Sequence, residues 1–312
     1  MQNYTIETIV DREFPNDPDR RISLYRGKGM VISPDFRYPI IEIGLCRADQ
    51  NNPTEDRTIE WYDENVLKPL IESGEISDGS KGGFDDRKMR YDSGWGFIGN
   101  SIDSQDRIII KLGHSHFLEY REKRNRTKEE AERLTQLGLK HFNDPYAFFG
   151  RNPGVTGIIL TSDKKLIVGQ RKVEIDEYED LLQGVAGHLD YKRNPSDIKL
   201  EEEMSREAKE EAGVTRTDVR DLEFLGLFSD PRVAGDDLDF CYLIKTDVHS
   251  DYFTKGFWKE KVKKPEHNEF YAINNFDELE KLVNDGNFQD KNFDIVFSTR
   301  GALSAIKEKD FL

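Results

Sequence analysis

The chain has 312 residues, enough for about two domains at the usual ~150 residues each. Its apolar fraction is 36%, about 44% with the 24 glycines counted, so it can bury real cores and is not a disordered chain. With 46 Lys and Arg against 61 Asp and Glu the net charge is −15, which disfavours a broad nucleic-acid binder because phosphates are repelled on average.

Cys46 and Cys241 are too few for a disulfide framework and lack zinc-site spacing, so both read as small core residues. The first residues show no basic stretch followed by an apolar one, and no apolar run approaches the ~18 residues of a membrane span. The expectation is a soluble, cytoplasmic protein with no membrane partner.

In chain order, β-branched runs predict strands at 22–25 and 40–45. Weak amphipathic spacing predicts a helix over 59–72, with Pro69 as a kink or near an end. The Gly-, Ser- and Asp-rich stretch 73–94 reads as a loop. A strand is expected at 107–112 and helical structure over 116–137, where the mixed-sign run REKRNRTKEEAER reads as a solvated face. Two prolines and turn residues place a domain boundary in 141–153, giving an N-terminal α+β domain (1–150) and a second domain (151–312).

Beyond that boundary, strands at 155–161 and 166–172 flank a polar turn and read as a hairpin. Further strands are expected at 222–228, at 237–244 with its strict alternation, and at 270–273. Helices follow at 276–283 and 295–307. Strands with interleaved and appended helices predict an α/β (α+β) sandwich around one sheet.

One stretch carries chemistry. Residues 206–214 read Arg-Glu-Ala-Lys-Glu-Glu-Ala-Gly-Val, a helix stopped by Gly213. Leu200, Met204, Ala208 and Ala212 recur every four residues and make an apolar stripe. Glu203, Glu207, Glu210 and Glu211 project from the neighbouring face, where like charges at i, i+3 and i+4 repel. A solvated acidic face is the bland reading. A retained cluster of carboxylates is also what a hard divalent cation such as Mg²⁺ takes. Upstream lies the glycine-rich stretch 184–190, Gly-Val-Ala-Gly-His-Leu-Asp.

Together these resemble the Nudix box, G-x5-E-x7-R-E-U-x-E-E-x-G-U with U aliphatic. Arg206, Glu207, Ala208, Glu210, Glu211, Gly213 and Val214 match its second half and Gly187 its opening glycine. Five residues are inserted between Gly187 and Arg206, so the first glutamate of the pattern falls at Ile198. Asp197 or one of Glu201, Glu202 and Glu203 is its replacement. The resemblance spans about 155–275 and implies a Nudix α/β/α sandwich with an additional N-terminal mixed α+β domain.

It further implies a Mg²⁺-dependent hydrolase (Mn²⁺ as substitute) acting on a small-molecule nucleoside diphosphate derivative. In that frame Glu207, Glu210, Glu211 and the Ala186 carbonyl hold metal, and Glu211 or Glu269, with Glu266 as the alternative, takes a proton. Arg206 orients the carboxylates, and Gly187, His188, Arg171 and Arg232 face substrate. Residues 88–97, 112–120 and 144–145, the Gly187-His188 pair and the stretched box are similar to a Nudix subgroup that hydrolyses UDP-glucose and UDP-galactose. That likeness implies UMP and a sugar 1-phosphate as products, with the N-terminal domain holding the base. Tyr25, Tyr91 or Trp95 can stack on uracil, though each also reads as core. ADP-ribose is the competing substrate, and a non-hydrolytic nucleotide sensor on the same fold is the competing class. Monomer and homodimer both fit.

His114 and His116 form a candidate metal pair or a satisfied helix start, and Arg26-Gly-Lys-Gly29 lacks the spacing of a phosphate loop.

Overall fold

The computed structural model describes the backbone of five N-terminal strands, the helical residues Lys68, Glu72, Glu132 and Gln136, and the segments 152–173, 178–190, 198–230, 237–289 and 291–311. The N-terminal strands are β1 (Thr5–Val10), β2 (Arg21–Arg26), β3 (Ile40–Leu45), β4 (Arg87–Tyr91) and β5 (Arg107–His116). β3, β5 and β4 form a three-stranded sheet of their own, parallel between β3 and β5 and antiparallel between β5 and β4.

The remaining strands are β6 (Pro153–Leu160), β7 (Leu166–Arg171), β8 (Leu182–Gln183), β9 (Val185–His188), β10 (Val219–Asp230), β11 (Asp237–Thr246) and β12 (His267–Ile273). They build a mixed sheet in the order β1-β2-β10-β11-β6-β7-β12, in which β11 and β6 run parallel and the other pairs antiparallel. The β1–β2 hairpin joins at the β10 edge, with Leu24 opposite Phe228 and Ser23 opposite Ser229. A short pair, β13 (Asn287–Phe288) and β14 (Lys291–Asn292), stands apart.

Helices cover both faces of the sheet, as the sandwich expectation requires. Helix α1 (Leu200–Ala212) lies on one face together with α2 (Asp251–Thr254) and the 3-10 turn Phe257–Glu260. Its stripe of Leu200, Met204, Ala208 and Ala212 packs with Val155 and Ile159 of β6 and with Phe240, Tyr242 and Ile244 of β11. Full burial of a residue such as Leu200 or Met204 contributes about 1.5–3 kcal/mol each. Gly213 ends α1 in the left-handed region (φ 67°), with its N–H on Lys209 and the Val214 N–H on Ala208, so the last carbonyls are satisfied. On the other face α3 (Phe276–Asp285) and α4 (Phe297–Ala305) cover Ile158, Leu160, Val168, Cys241 and Leu243. No helix among the described residues is long and apolar enough to cross a membrane.

Several expectations shift. Strand β4 occupies part of the stretch expected as loop, and β5 continues to His116, so His114 and His116 are strand residues rather than a helix start. The 155–161 and 166–172 hairpin is paired only at its closed end, Ile159 with Ile167 and Leu160 with Leu166. Below that β6 and β7 part, and the stretch read as a glycine-rich loop enters the gap. There β8 pairs with β7, and β9 pairs with β6 over Gly154–Gly157. Gly184 makes the crossing possible, since a Cβ there would lie 2.4 Å from the Gly157 carbonyl oxygen. Glycines and a histidine do not read as a strand on their own; the open edges of β6 and β7 recruit them.

Gly301 of α4 sits against the Phe228 ring, where a Cβ would come within 2.3 Å. Gly301→Val should therefore lower the urea unfolding free energy by about 1–3 kcal/mol through overpacking, read from the midpoint of an equilibrium melt.

Candidate functional site

The site forms where α1 crosses β9. The periodicity that turns the apolar stripe toward the sheet brings Glu203, Glu207 and Glu211 along its border, at 5%, 7% and 3% exposure. Glu210 falls outside that row and its side chain is 58% exposed. The sequence grouped all four; packing separates one from the other three.

Arg206 binds the row together. Its Nη2 donates to Glu207 Oε1 at 2.7 Å and to Glu203 Oε2 at 3.1 Å, its Nη1 to Glu210 Oε2 at 2.9 Å, and its Nε stands 3.4 Å from Asp190 Oδ2. Burial works against the guanidinium charge, but Glu207, Asp190, Glu203 and Glu210 outweigh it and raise its pKa. Ile198, where the pattern has its first glutamate, is 3% exposed in the core. Of the proposed replacements, Asp197 lies outside the described residues and Glu201 and Glu202 are exposed, whereas Glu203 is buried on Arg206. Asp190, which was not anticipated, shares that guanidinium.

Strand β9 supplies the floor. Gly187, opposite Val155, lies so close to Glu207 that a Cβ would meet its Oε1 at 2.0 Å. Ala186, expected to offer its carbonyl, donates its N–H to Glu211 Oε2 at 2.8 Å. His188 is half-buried at the end of the strand, opposite Gly154.

The far wall is the start of β12 and the end of β7. Glu211 Oε2 is 3.4 Å from His267 Nε2, and the Glu266 carboxyl also bears on Glu211. Arg171, buried at 6%, donates through Nη1 to Gln183 Oε1 at 2.5 Å and lies 3.3 Å from Glu266 Oε2. Its guanidinium is thus built into the wall beside Glu211. Glu269 lies elsewhere: two residues before Tyr271 in unbroken register, it shares the sheet face of Tyr271, whose hydroxyl donates to it. Of the two late glutamates, Glu266 is the one the fold brings to Glu211. His267 escaped the sequence reading, and its one signal was its place beside Glu266 at the head of a strand.

Arg232 lies outside the described residues, as do Trp95 and 27–29. Tyr25 is placed on β2 and Tyr91 on β4.

The electrostatics are strained. Burial drives the Glu207 pKa well above the usual carboxylate range; Arg206 opposes the rise and Glu211 adds to it. For Glu211 burial again leads and Glu266 adds, against Arg171 and the Ala186 N–H. Burial also pushes the His267 pKa down to about 3. Among the described residues no three carboxylate, histidine or cysteine side chains converge on one metal-sized centre. The carboxylates stand on Arg206 and Ala186 instead. Their donor chemistry nevertheless suits a hard divalent cation, because oxygen ligands under mutual repulsion are relieved by one.

No protein-family model and no curated protein matches the chain. Among solved structures it is similar to the NUDIX domain of Shewanella oneidensis NrtR complexed with ADP ribose (15% identity, 58% of this chain and 96% of that one, TM-score 0.35). It is also similar to the MutT protein from Methanosarcina mazei Go1 (17%, 49% and 91%, TM-score 0.34). A NUDIX-family hydrolase from Clostridium perfringens matches at 16% identity over 50% of this chain and 97% of that one, TM-score 0.30.

A carboxyl whose folded pKa is raised contributes stability that is present below its unfolded value and lost as pH rises through the folded one. In chelator, the urea midpoint should therefore fall as pH rises above the ordinary carboxylate range. Glu211→Gln, which cannot ionise, should flatten that slope.

Proposed function

We propose that this chain is a divalent-metal-dependent hydrolase of the Nudix kind. It splits the diphosphate of a nucleoside-diphosphate sugar, UDP-glucose or UDP-galactose, into a nucleoside monophosphate and a sugar 1-phosphate. The observation that carries this reading is the pair of buried, mutually repelling carboxylates, Glu207 and Glu211, laid on the Ala186-Gly187 backbone and braced by Arg206. A helix with only a structural task has no use for such a row, since burying unneutralised carboxylates is costly.

In this reading Glu207, Glu210 and Glu211 would hold Mg²⁺ or Mn²⁺, with the Ala186 carbonyl beside them. The chemistry supplied by the bound metal is screening of the diphosphate charge and a lowered pKa for nearby water. The chain does the rest. Arg206 keeps Glu207 and Glu210 in place through charge-assisted hydrogen bonds. Gly187 leaves the room that the Glu207 carboxyl fills. Glu266, with its side chain 45% exposed beside Glu211, is the residue proposed to accept a proton from an attacking water. His188 and Arg232 are the residues proposed to face substrate. Residues 1–150, in which β3–β5 make their own sheet, are the part proposed to recognise the base.

The test is a panel of UDP-sugars, ADP-ribose and dinucleoside polyphosphates with Mg²⁺ or Mn²⁺ and product identification. Release of sugar 1-phosphate from the UDP-sugars is expected, and ADP-ribose turnover alone would transfer the reading to that substrate. Nucleotide binding without turnover of any compound would mark a sensor. Glu207→Gln and Glu211→Gln should each cut turnover about 10²-fold or more while the chain stays folded; undiminished turnover in both would sink the site. Gly187→Ala should displace the Glu207 carboxyl and lower turnover about 10-fold or more, at a stability cost of no more than about 1 kcal/mol because a side-chain end is what must move.

A further inference from the structure

His267 is wholly buried at the head of β12. The register shift after it inserts Asn268 as an extra residue, and that bulge turns the imidazole to the α1 side, 4.8 Å from the Phe270 ring. The two ring nitrogens meet different surroundings. Nε2 is 3.4 Å from Glu211 Oε2. Nδ1 has no hydrogen-bond partner among the described residues and faces the Gly169 backbone, where a Cβ would stand 2.4 Å from it.

A neutral imidazole carries one N–H and one bare nitrogen. With the hydrogen on Nδ1, a donor would be buried against Gly169 with nothing to accept it, and the lone pair of Nε2 would face a carboxylate oxygen. With the hydrogen on Nε2, the donor meets that oxygen and only a weak acceptor is left unpaired. Glu211 Oε2 already accepts the Ala186 N–H, so it is the accepting oxygen whatever the charge on Glu211. We infer that His267 is a positioning residue: as the Nε2–H tautomer it joins the Ala186 N–H in clamping Oε2 of Glu211, which fixes the carboxyl between β9 and β12. Its consequence for turnover rests on the function proposed above; the clamp itself does not. A glycine at 169 is part of the device, because any side chain there would fill the space of the ring.

The first experiment uses the full chain, without metal, labelled with ¹⁵N-histidine. Long-range ¹H–¹⁵N spectra at neutral pH report the tautomer of each of its six histidines, and His267 is assigned by its loss in His267→Gln. A neutral Nε2–H pattern is expected. An Nδ1–H or doubly protonated ring would overturn the inference. The second measures Mn²⁺ binding by electron paramagnetic resonance, with kcat and KM, in His267→Gln, which keeps a donor near the Nε2 position, and His267→Leu, which has none. Gln should stay within about 3-fold of wild type, and Leu should lose about 10–100-fold in metal affinity, the usual cost of losing an outer partner of a ligand. A folded Leu variant that binds Mn²⁺ as wild type does would overturn the inference, and if that variant fails to fold the tautomer in the wild-type chain still decides. A wild-type chain with the Nε2–H ring but no turnover of any diphosphate would sink the proposed function and leave the clamp standing. Turnover with the other tautomer would sink the clamp alone.

Discussion

The constraint on which the rest of the structure depends is the burial of acidic side chains at the line where α1 meets β9. Glu203, Glu207 and Glu211 are almost as inaccessible as the apolar stripe beside them. Carboxylates in that position need partners, since a buried unpaired charge costs several kcal/mol. The fold supplies them from three directions: the Arg206 guanidinium on the same helix, the Ala186 N–H on β9, and Arg171 and His267 at the ends of β7 and β12. These partners oppose the repulsion without cancelling it, and the carboxyl pKa values stay raised. Stored electrostatic stress of this kind gathers at sites that do chemistry more often than at sites that only hold a fold.

The sheet is shaped around this junction. β6 and β7 part after two paired residues, and β8 and β9 fill the opening. That insertion brings a stretch of backbone beneath α1 without a side chain in the way. Gly187 lets the Glu207 carboxyl lie on the strand, Gly184 lets the chain pass the Gly157 carbonyl, and Gly169 makes room for the His267 ring. Three glycines thus serve one junction, each through a close approach rather than a special backbone angle.

Much of this was legible in the residues. The four-residue spacing of Leu200, Met204, Ala208 and Ala212 fixed the face of α1 that is buried, and the place of the glutamates followed from it. Gly213 marked the helix end, and β3 begins and ends where its β-branched run does. The alternation of Leu238, Phe240, Tyr242 and Ile244 puts all four in one core cluster, as period two requires. What escaped were features with no local signal. β8 and β9 are short, glycine-bearing strands that exist because β6 and β7 offer unpaired edges. β1 and the β13–β14 pair were likewise missed.

The head of β12 shows the same limit at the scale of one residue. Strict alternation puts Glu269 on the Tyr271 side but cannot foresee the bulge at Asn268, which turns His267 away from that side and toward Glu211. The sequence by itself determined the helix, its buried face, its acidic row and the glycine that ends it, because these follow from periodicities of 3.6 and 2 that operate over a few residues. Tertiary structure alone decided which acid leaves the row, which strand lies under it and which late side chains close the wall. Those outcomes depend on strand edges, register and close backbone approach between segments dozens of residues apart, and a bulge of one residue reverses them.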